Sequence, residues 1–267
     1  MANVINSTRK THTVGQLAER EPIQIPQYSL ARILAVWAGA ALPMAALAWV
    51  VAPWVAGSLE GPAPWPRALI LTLTIGLVWQ FVLVMVLIRR EQGSLRWPVV
   101  KEALWLNAPW SPRTGRRGGR LWLIVIPLVV LVAFKEALPS LPTPAVRDFA
   151  TVLESDAGKA WLSGSWDWFA LLIVMFVFNT VLGEELLFRG LLLPRMQGVF
   201  GSSDWIANGV LFGFYHLHVP WGIPKALLDT FLYVYPAKRY RSTLVSMAVH
   251  SAQSVVIAAF VLVLVLK

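Results

Sequence analysis

The sequence predicts an all-α protein, a polytopic membrane bundle of about seven transmembrane helices with a polar cavity open toward the cytoplasmic side. Three observations lead there. Of the 267 residues, 57% are hydrophobic and only 14% charged, against about 45–50% and about 25% in a soluble domain. The apolar residues come in runs long enough to cross a hydrocarbon core of about 30 Å. Three of those runs carry ionisable residues at helical spacing, which lipid tolerates only where they serve a purpose. The absence of cysteine excludes a disulfide scaffold, a thiol nucleophile and any Cys-ligated metal. The net charge of +9 comes from residues that lie between apolar spans, so it marks the cytoplasmic side of a membrane rather than a nucleic-acid partner.

Taken in order, residues 1–29 are polar, contain Pro22 and Pro26, and lack the apolar core and cleavage site of a secretory signal. They read as a cytosolic tail, and residues 30–267 as one membrane-embedded domain. The expected spans are Leu30 to Val55, Ala68 to Ile88, Leu121 to Leu138, Trp166 to Gly190, Trp205 to Val219, Ile223 to Tyr235 and Thr243 to Leu266. The first contains Pro43 and Pro53, which neighbouring groups must compensate. The fifth and sixth are short and broken by Pro220 and Pro224, and could form one re-entrant hairpin. With the amino terminus inside, the inner segments hold Arg9, Lys10, Arg20, Arg32, eight basic residues from Arg89 to Arg120, Arg195, Lys238, Arg239 and Arg241. The outer ones hold Arg67, Lys135, Arg147, Lys159, Lys225 and Lys267. Sixteen against six sets a cell-membrane protein with a cytoplasmic amino terminus. The stretch from Ser94 to Arg120 places Trp97, Trp105 and Trp110 among basic residues and reads as a surface resting on membrane lipids.

The chemistry-bearing residues sit on three spans. Glu185 and Arg189 are four apart and stack on one face, whereas Glu184 is about 100° away. One carboxylate is therefore positioned to be held by Arg189 and the other to face a cavity. Phe212 and His216 share a face with Asn208, and His218 is expected to point nearly opposite. On the last span Ser246, His250 and Ser254 share a face, with Gln253 beside them. At about 1.5 Å per residue, Glu184 lies about 9 Å from the cytoplasmic end of its helix near Gly190, His216 about 16 Å from Trp205, and His250 about 12 Å from Ser242. The three fall at similar heights in the cytoplasmic half, as a shared site requires. Asp229 is a candidate lining residue.

A carboxylate and an imidazole facing one cavity can orient and deprotonate water for attack on a carbonyl, and a second imidazole with an adjacent amide or hydroxyl can stabilise the oxyanion. Glu184, His216 and His250 would equally serve as three ligands of a divalent metal such as zinc, and the residues alone leave both mechanisms open. No HExxH motif and no paired intramembrane aspartates are present, and Gly164-Ser165 lies in a loop.

Glu184-Glu185 to Arg189, Phe212 to His216, and His250 to Ser254 resemble the EExxxR, FxxxH and HxxxN motifs of the CPBP family. These are the CAAX-protease and bacteriocin-processing intramembrane endopeptidases, also called the Abi family. The similarity covers the motif-bearing core, residues 166–267. The resemblance implies a membrane-embedded endopeptidase acting on a peptide or protein, lipidated or not. In it Glu184 and His216 would activate water, His250 would help form the oxyanion hole, and Glu185 and Arg189 would support the site. Ser254 departs from the Asn usual in the family, and Gln253 is expected to supply the amide instead. Two other readings use the same residues: a non-catalytic membrane protein that binds a peptide or immunity partner in the cavity, and a transporter using Asp229 and the broken helices.

Overall fold

A computed structural model describes residues 23–139 and 141–267, so most of the expected 1–29 tail lies outside the described residues. Every regular element among the described residues is helical, apart from one isolated bridge between Trp110 and Arg117. Helix α1 runs Leu30–Ser58 and α2 runs Pro64–Gln92. The short α3 is Trp97–Ala103, and α4 is Val125–Glu136 after a tight turn over Gly119–Ile124. Two small helices, α5 Phe149–Glu154 and α6 Asp156–Leu162, precede α7, Trp166–Arg195. Then come α8 Asp204–Tyr215, α9 composed of Ile223–Asp229, Thr230–Val234 and Tyr235–Tyr240, and α10 Thr243–Val265. Helices thus occupy all seven expected places. Four of them, α1, α2, α7 and α10, are long and apolar enough to cross a membrane by themselves. Helices α4 and α8 are shorter, and α9 carries Lys225, Asp229, Lys238 and Arg239.

Lipid as solvent explains the distribution of side chains. Leu42, Trp54, Ile75, Phe134, Val255 and Val256 are exposed, while Glu184, Glu185, Arg189, Asn208 and His250 are buried. The freed backbone groups of α1 find partners as anticipated. Pro43 has no N–H for the carbonyl of Gly39, four residues back, which instead accepts from the indole of Trp79 on α2 at 2.8 Å. In the wide turn Leu47–Val51 before Pro53, the carbonyl of Ala48 accepts from Arg147 Nη2 at 3.1 Å. The indoles of Trp37 and Trp49 donate to Leu211 and Leu217, both at 2.8 Å, and so tie α1 to α8 and the turn after it. Helices α1 and α2 cross closely at Gly76, where a Cβ would lie 2.1 Å from Met44 Sδ.

One end of the bundle is sealed. There Tyr28 N donates to Arg195 O, Trp110 N to Tyr240 O and Thr243 N to Trp105 O, each at 2.9 Å, and Ser242 Oγ donates to Asn107 O at 2.6 Å. Arg195, expected in a cytosolic segment, is fully buried there because α7 continues five residues past Gly190. Its Nε and Nη2 meet Glu91 Oε2 at 2.9 Å, and its Nη1 donates to Leu191 O at 2.9 Å and Ala103 O at 3.2 Å. Glu91 also accepts from Arg32 Nη2 at 2.7 Å and from the Tyr28 hydroxyl. Arg89, Arg90, Arg96, Arg113, Arg116, Arg117 and Arg120 are exposed around this end. The opposite end is marked by the bond from Gly164 N to Val265 O, 3.0 Å.

Candidate active site

Helix α7 presents the two acids through a local irregularity. Wide i→i+5 turns over Phe178–Gly183 and Leu186–Leu192 leave only Glu184-Glu185 between them in ordinary α geometry, and such turns concentrate at functional sites. Gly183 allows the close approach to α2, since a Cβ there would lie 2.5 Å from Phe178 O and 3.2 Å from Leu77 O. The carbonyl of Phe188 in the second wide turn accepts from Asn208 Nδ2 at 2.8 Å, a bond that ties α8 to α7.

The carboxylates diverge as the 100° rule predicts. Glu184 lines a polar cavity of about 310 Å³ together with His216, His250 and Gln253. Glu185 is fully buried outside it, with its Oε2 3.3 Å from Arg189 Nε and its Oε1 3.0 Å from His250 Nδ1. No local residue pattern announces this last contact, because only the tertiary crossing of α7 and α10 creates it. The Tyr215 hydroxyl accepts from Gln80 Nε2 at 2.7 Å and faces Glu184. Arg189 lies with its guanidinium carbon 3.9 Å from the Phe212 ring centre, so Phe212 is a cation–π partner as well as packing.

Tautomers follow from the partners. His216 Nδ1 is 2.9 Å from Phe212 O, an obligate acceptor, so Nδ1 carries the proton and the neutral ring keeps an open lone pair at Nε2. His250 Nδ1 likewise donates to Glu185, and its Nε2 can donate as well only when both ring nitrogens are protonated. His250 is stacked on Tyr233, ring centres 4.9 Å apart. Among the described residues no group of three or more His, Asp or Glu side chains is placed to hold a metal ion. Glu184, His216 and His250 share a cavity.

One expectation is corrected. His218 does not point away. Helix α8 ends at Tyr215, the chain tightens over His216–His218, and the 100° step no longer applies. The His218 ring stacks on His216 at 5.5 Å and lines the same cavity. On α4, α7, α9 and α10 the more exposed cavity residue is the one farther from the sealed basic end. Glu136 is 38% exposed against 7% for Lys135. Gly222 and Lys225 are half-buried against buried Asp229 and Tyr233, Asn179 against buried Glu184, His216 against buried Phe212, and Gln253 against buried His250. The floor therefore lies toward Arg195 and Thr243, and the mouth lies where α4 ends and α9 begins. The continuation of α7 to Arg195 also places Glu184 about 16 Å from that end at 1.5 Å per residue, deeper than expected.

The structure brings Asp229 to the cavity, as expected, and adds a group the sequence did not connect with it. Lys135 Nζ bonds Asp229 Oδ1 at 2.7 Å and Glu136 Oε1 at 3.0 Å, and Lys225 Nζ donates to Glu136 O at 2.9 Å. Ser254 is not brought there. It lines an apolar groove between α7 and α10 with Thr180 and Ser251, whereas Gln253 faces the cavity.

Residues 166–256 match the model of the family described as Rce1-like, type II CAAX prenyl endopeptidase. That stretch holds all three resembling motifs, so the resemblance to the CPBP family stands at family level, and with the four apolar helices it makes this a membrane protein. No curated protein and no solved structure matches the chain.

Proposed function

We propose that this chain is an intramembrane endopeptidase of the CAAX-protease type that hydrolyses a peptide bond with water activated by Glu184 and His216. One observation carries the reading: of two adjacent acids, one faces a polar cavity with three imidazoles while its neighbour is sequestered by Arg189 and His250. Water bound between the Glu184 carboxylate and His216 Nε2 gives a proton to Glu184 as its oxygen attacks the carbonyl carbon. The oxyanion accepts hydrogen bonds from Nε2 of doubly protonated His250 and from the Gln253 amide. Glu185 supplies the counter-charge to His250, and Arg189 holds Glu185. As the C–N bond breaks, the proton on Glu184 passes to the leaving amine. Every proton is accounted for within these residues, and no step passes through a metal.

The test is cleavage of a library of lipidated and unlipidated membrane-inserted peptides by the purified protein, with and without a chelator. Glu184→Gln is expected to lower the rate by about 10²–10⁴-fold without loss of fold, and the chelator to have no effect. A Glu184→Gln protein that cleaves like the wild type removes the peptidase reading. Retention of peptide binding by an inactive wild type would favour the non-catalytic one.

A further inference from the structure

We infer that Asn179 is a substrate-binding residue: the first wide turn of α7 brings its amide onto the cavity face of Glu184, where it pairs with the backbone of the substrate. The inference deepens the peptidase reading and rests on it for the word substrate alone.

Five residues separate Asn179 from Glu184, and in an unbroken α-helix that spacing sets two side chains about 140° apart. Asn179 would then face away from the acid. The turn over Phe178–Gly183 changes this, because the backbone N–H of Glu184 bonds the carbonyl of Asn179, five residues back rather than four. The two residues are thereby stacked on one side of the helix, and both line the polar cavity. The neighbours of Asn179 are committed elsewhere. The Phe178 ring packs edge-on against Phe81 of α2 with centres 5.9 Å apart, and the Thr180 hydroxyl lies 3.0 Å from Phe176 O and 2.9 Å from Ser251 Oγ of α10.

The other described asparagines have structural partners. Asn107 Nδ2 donates to Glu102 Oε2 at 3.0 Å, and Asn208 Nδ2 to Phe188 O at 2.8 Å. The Asn179 amide makes no hydrogen bond among the described residues, although it is half-buried in a helix long and apolar enough to cross a membrane. An unpaired amide in that setting is costly, and a ligand that completes it removes the cost. A primary amide carries a donor and an acceptor side by side, which match the C=O and N–H of an extended chain. At about 1.5 Å per residue Asn179 stands about 7 Å from Glu184 along the helix, the length of about two residues of extended peptide. Its Oδ1 accepts from a substrate N–H, and its Nδ2 donates to a substrate C=O, about two residues from the bond that is cut.

The test reads binding before turnover. The tightest-binding peptide of the membrane-inserted library is made as a series, each member N-methylated at one backbone nitrogen. Its Kd is measured on full-length Glu184→Gln protein with and without Asn179→Ala. One methylation is expected to raise Kd about 3–10-fold, as for loss of one hydrogen bond, and to have no further effect once Asn179→Ala has raised it by the same factor. In otherwise wild-type protein Asn179→Ala should raise KM by that factor and leave kcat within about twofold. Unchanged Kd and KM, or the same methylation profile with and without Asn179→Ala, overturns the inference and leaves the peptidase reading standing. A fall in kcat alone also overturns it, since Asn179 then acts on the chemical step and not on binding. A wild type that binds without cleaving removes the peptidase reading and leaves the Kd comparison to decide this one. Binding of no peptide overturns both. Asn179→Leu replaces Asn179→Ala should the latter not fold.

Discussion

Helix α7 carries two fully buried arginines six residues apart, and they are treated in opposite ways. Arg195, in the sealed end, donates from Nε to Glu91 and from Nη1 to two backbone carbonyls, while its Nη2 lies 2.9 Å from Glu91 Oε2 without a hydrogen bond of good geometry. Arg189, beneath the cavity, has one contact of 3.3 Å to Glu185, and none of its nitrogens makes a hydrogen bond of good geometry. Its charge rests on the face of Phe212 instead. A buried ion pair stabilises only when its remaining donors are satisfied. The sealed end comes nearer to that condition, since Nη2 alone of the Arg195 nitrogens lacks a hydrogen bond whereas all three of Arg189 do, so Arg195 should contribute the more stability.

Substitutions can break this contrast in either direction. Arg195→Met leaves Glu91 buried with much of its compensation gone, and should lower unfolding stability in detergent by about 3–5 kcal/mol. Activity per folded molecule should stay unchanged, and a drop in kcat at constant stability would erase the distinction. Next in size is Gln253→Ala, expected to cost about 10²–10³-fold in kcat, as for loss of an oxyanion donor, with KM and thermal stability little altered. Ser254→Ala should be nearly silent, and a silent Gln253→Ala would end the assignment of the amide. Phe212→Leu removes the ring beneath Arg189, a loss of about 2 kcal/mol when desolvated, read as a shift in melting temperature accompanied by lower kcat. Smallest is Tyr215→Phe, which withdraws one hydrogen bond near Glu184 and should cost about 0.5–1.5 kcal/mol of transition-state stabilisation, measured as kcat/KM.

How much of this could be read beforehand depends on how local the cause is. The division between Glu184 and Glu185 follows from helical angle alone, and it was legible because the wide turns begin only outside that pair. The capping of α1 carbonyls at prolines was legible as a need, though not that Trp79 and Arg147 would meet it. His218 was misplaced because no residue pattern announces that α8 tightens after Tyr215. Lys135 joins Asp229 across 94 positions of chain, and such a contact has no local signature. The burial of Arg195 was not legible for a related reason: Leu191, Leu192 and Leu193 carry the apolar run past Gly190, and hydropathy does not show that a charged residue can end a buried helix by meeting Glu91.

A wide turn holds one more residue than an α turn, so each of the two in α7 behaves as a surplus residue stored inside the lipid-spanning rod. Their position on either side of the acidic pair means that gaining or losing a single residue there rotates the pair by about 100° while leaving every loop intact. The aim of the carboxylate is thus adjustable by insertion or deletion within the membrane, a route by which descendants of this chain can disarm or restore the centre without altering any side chain in it.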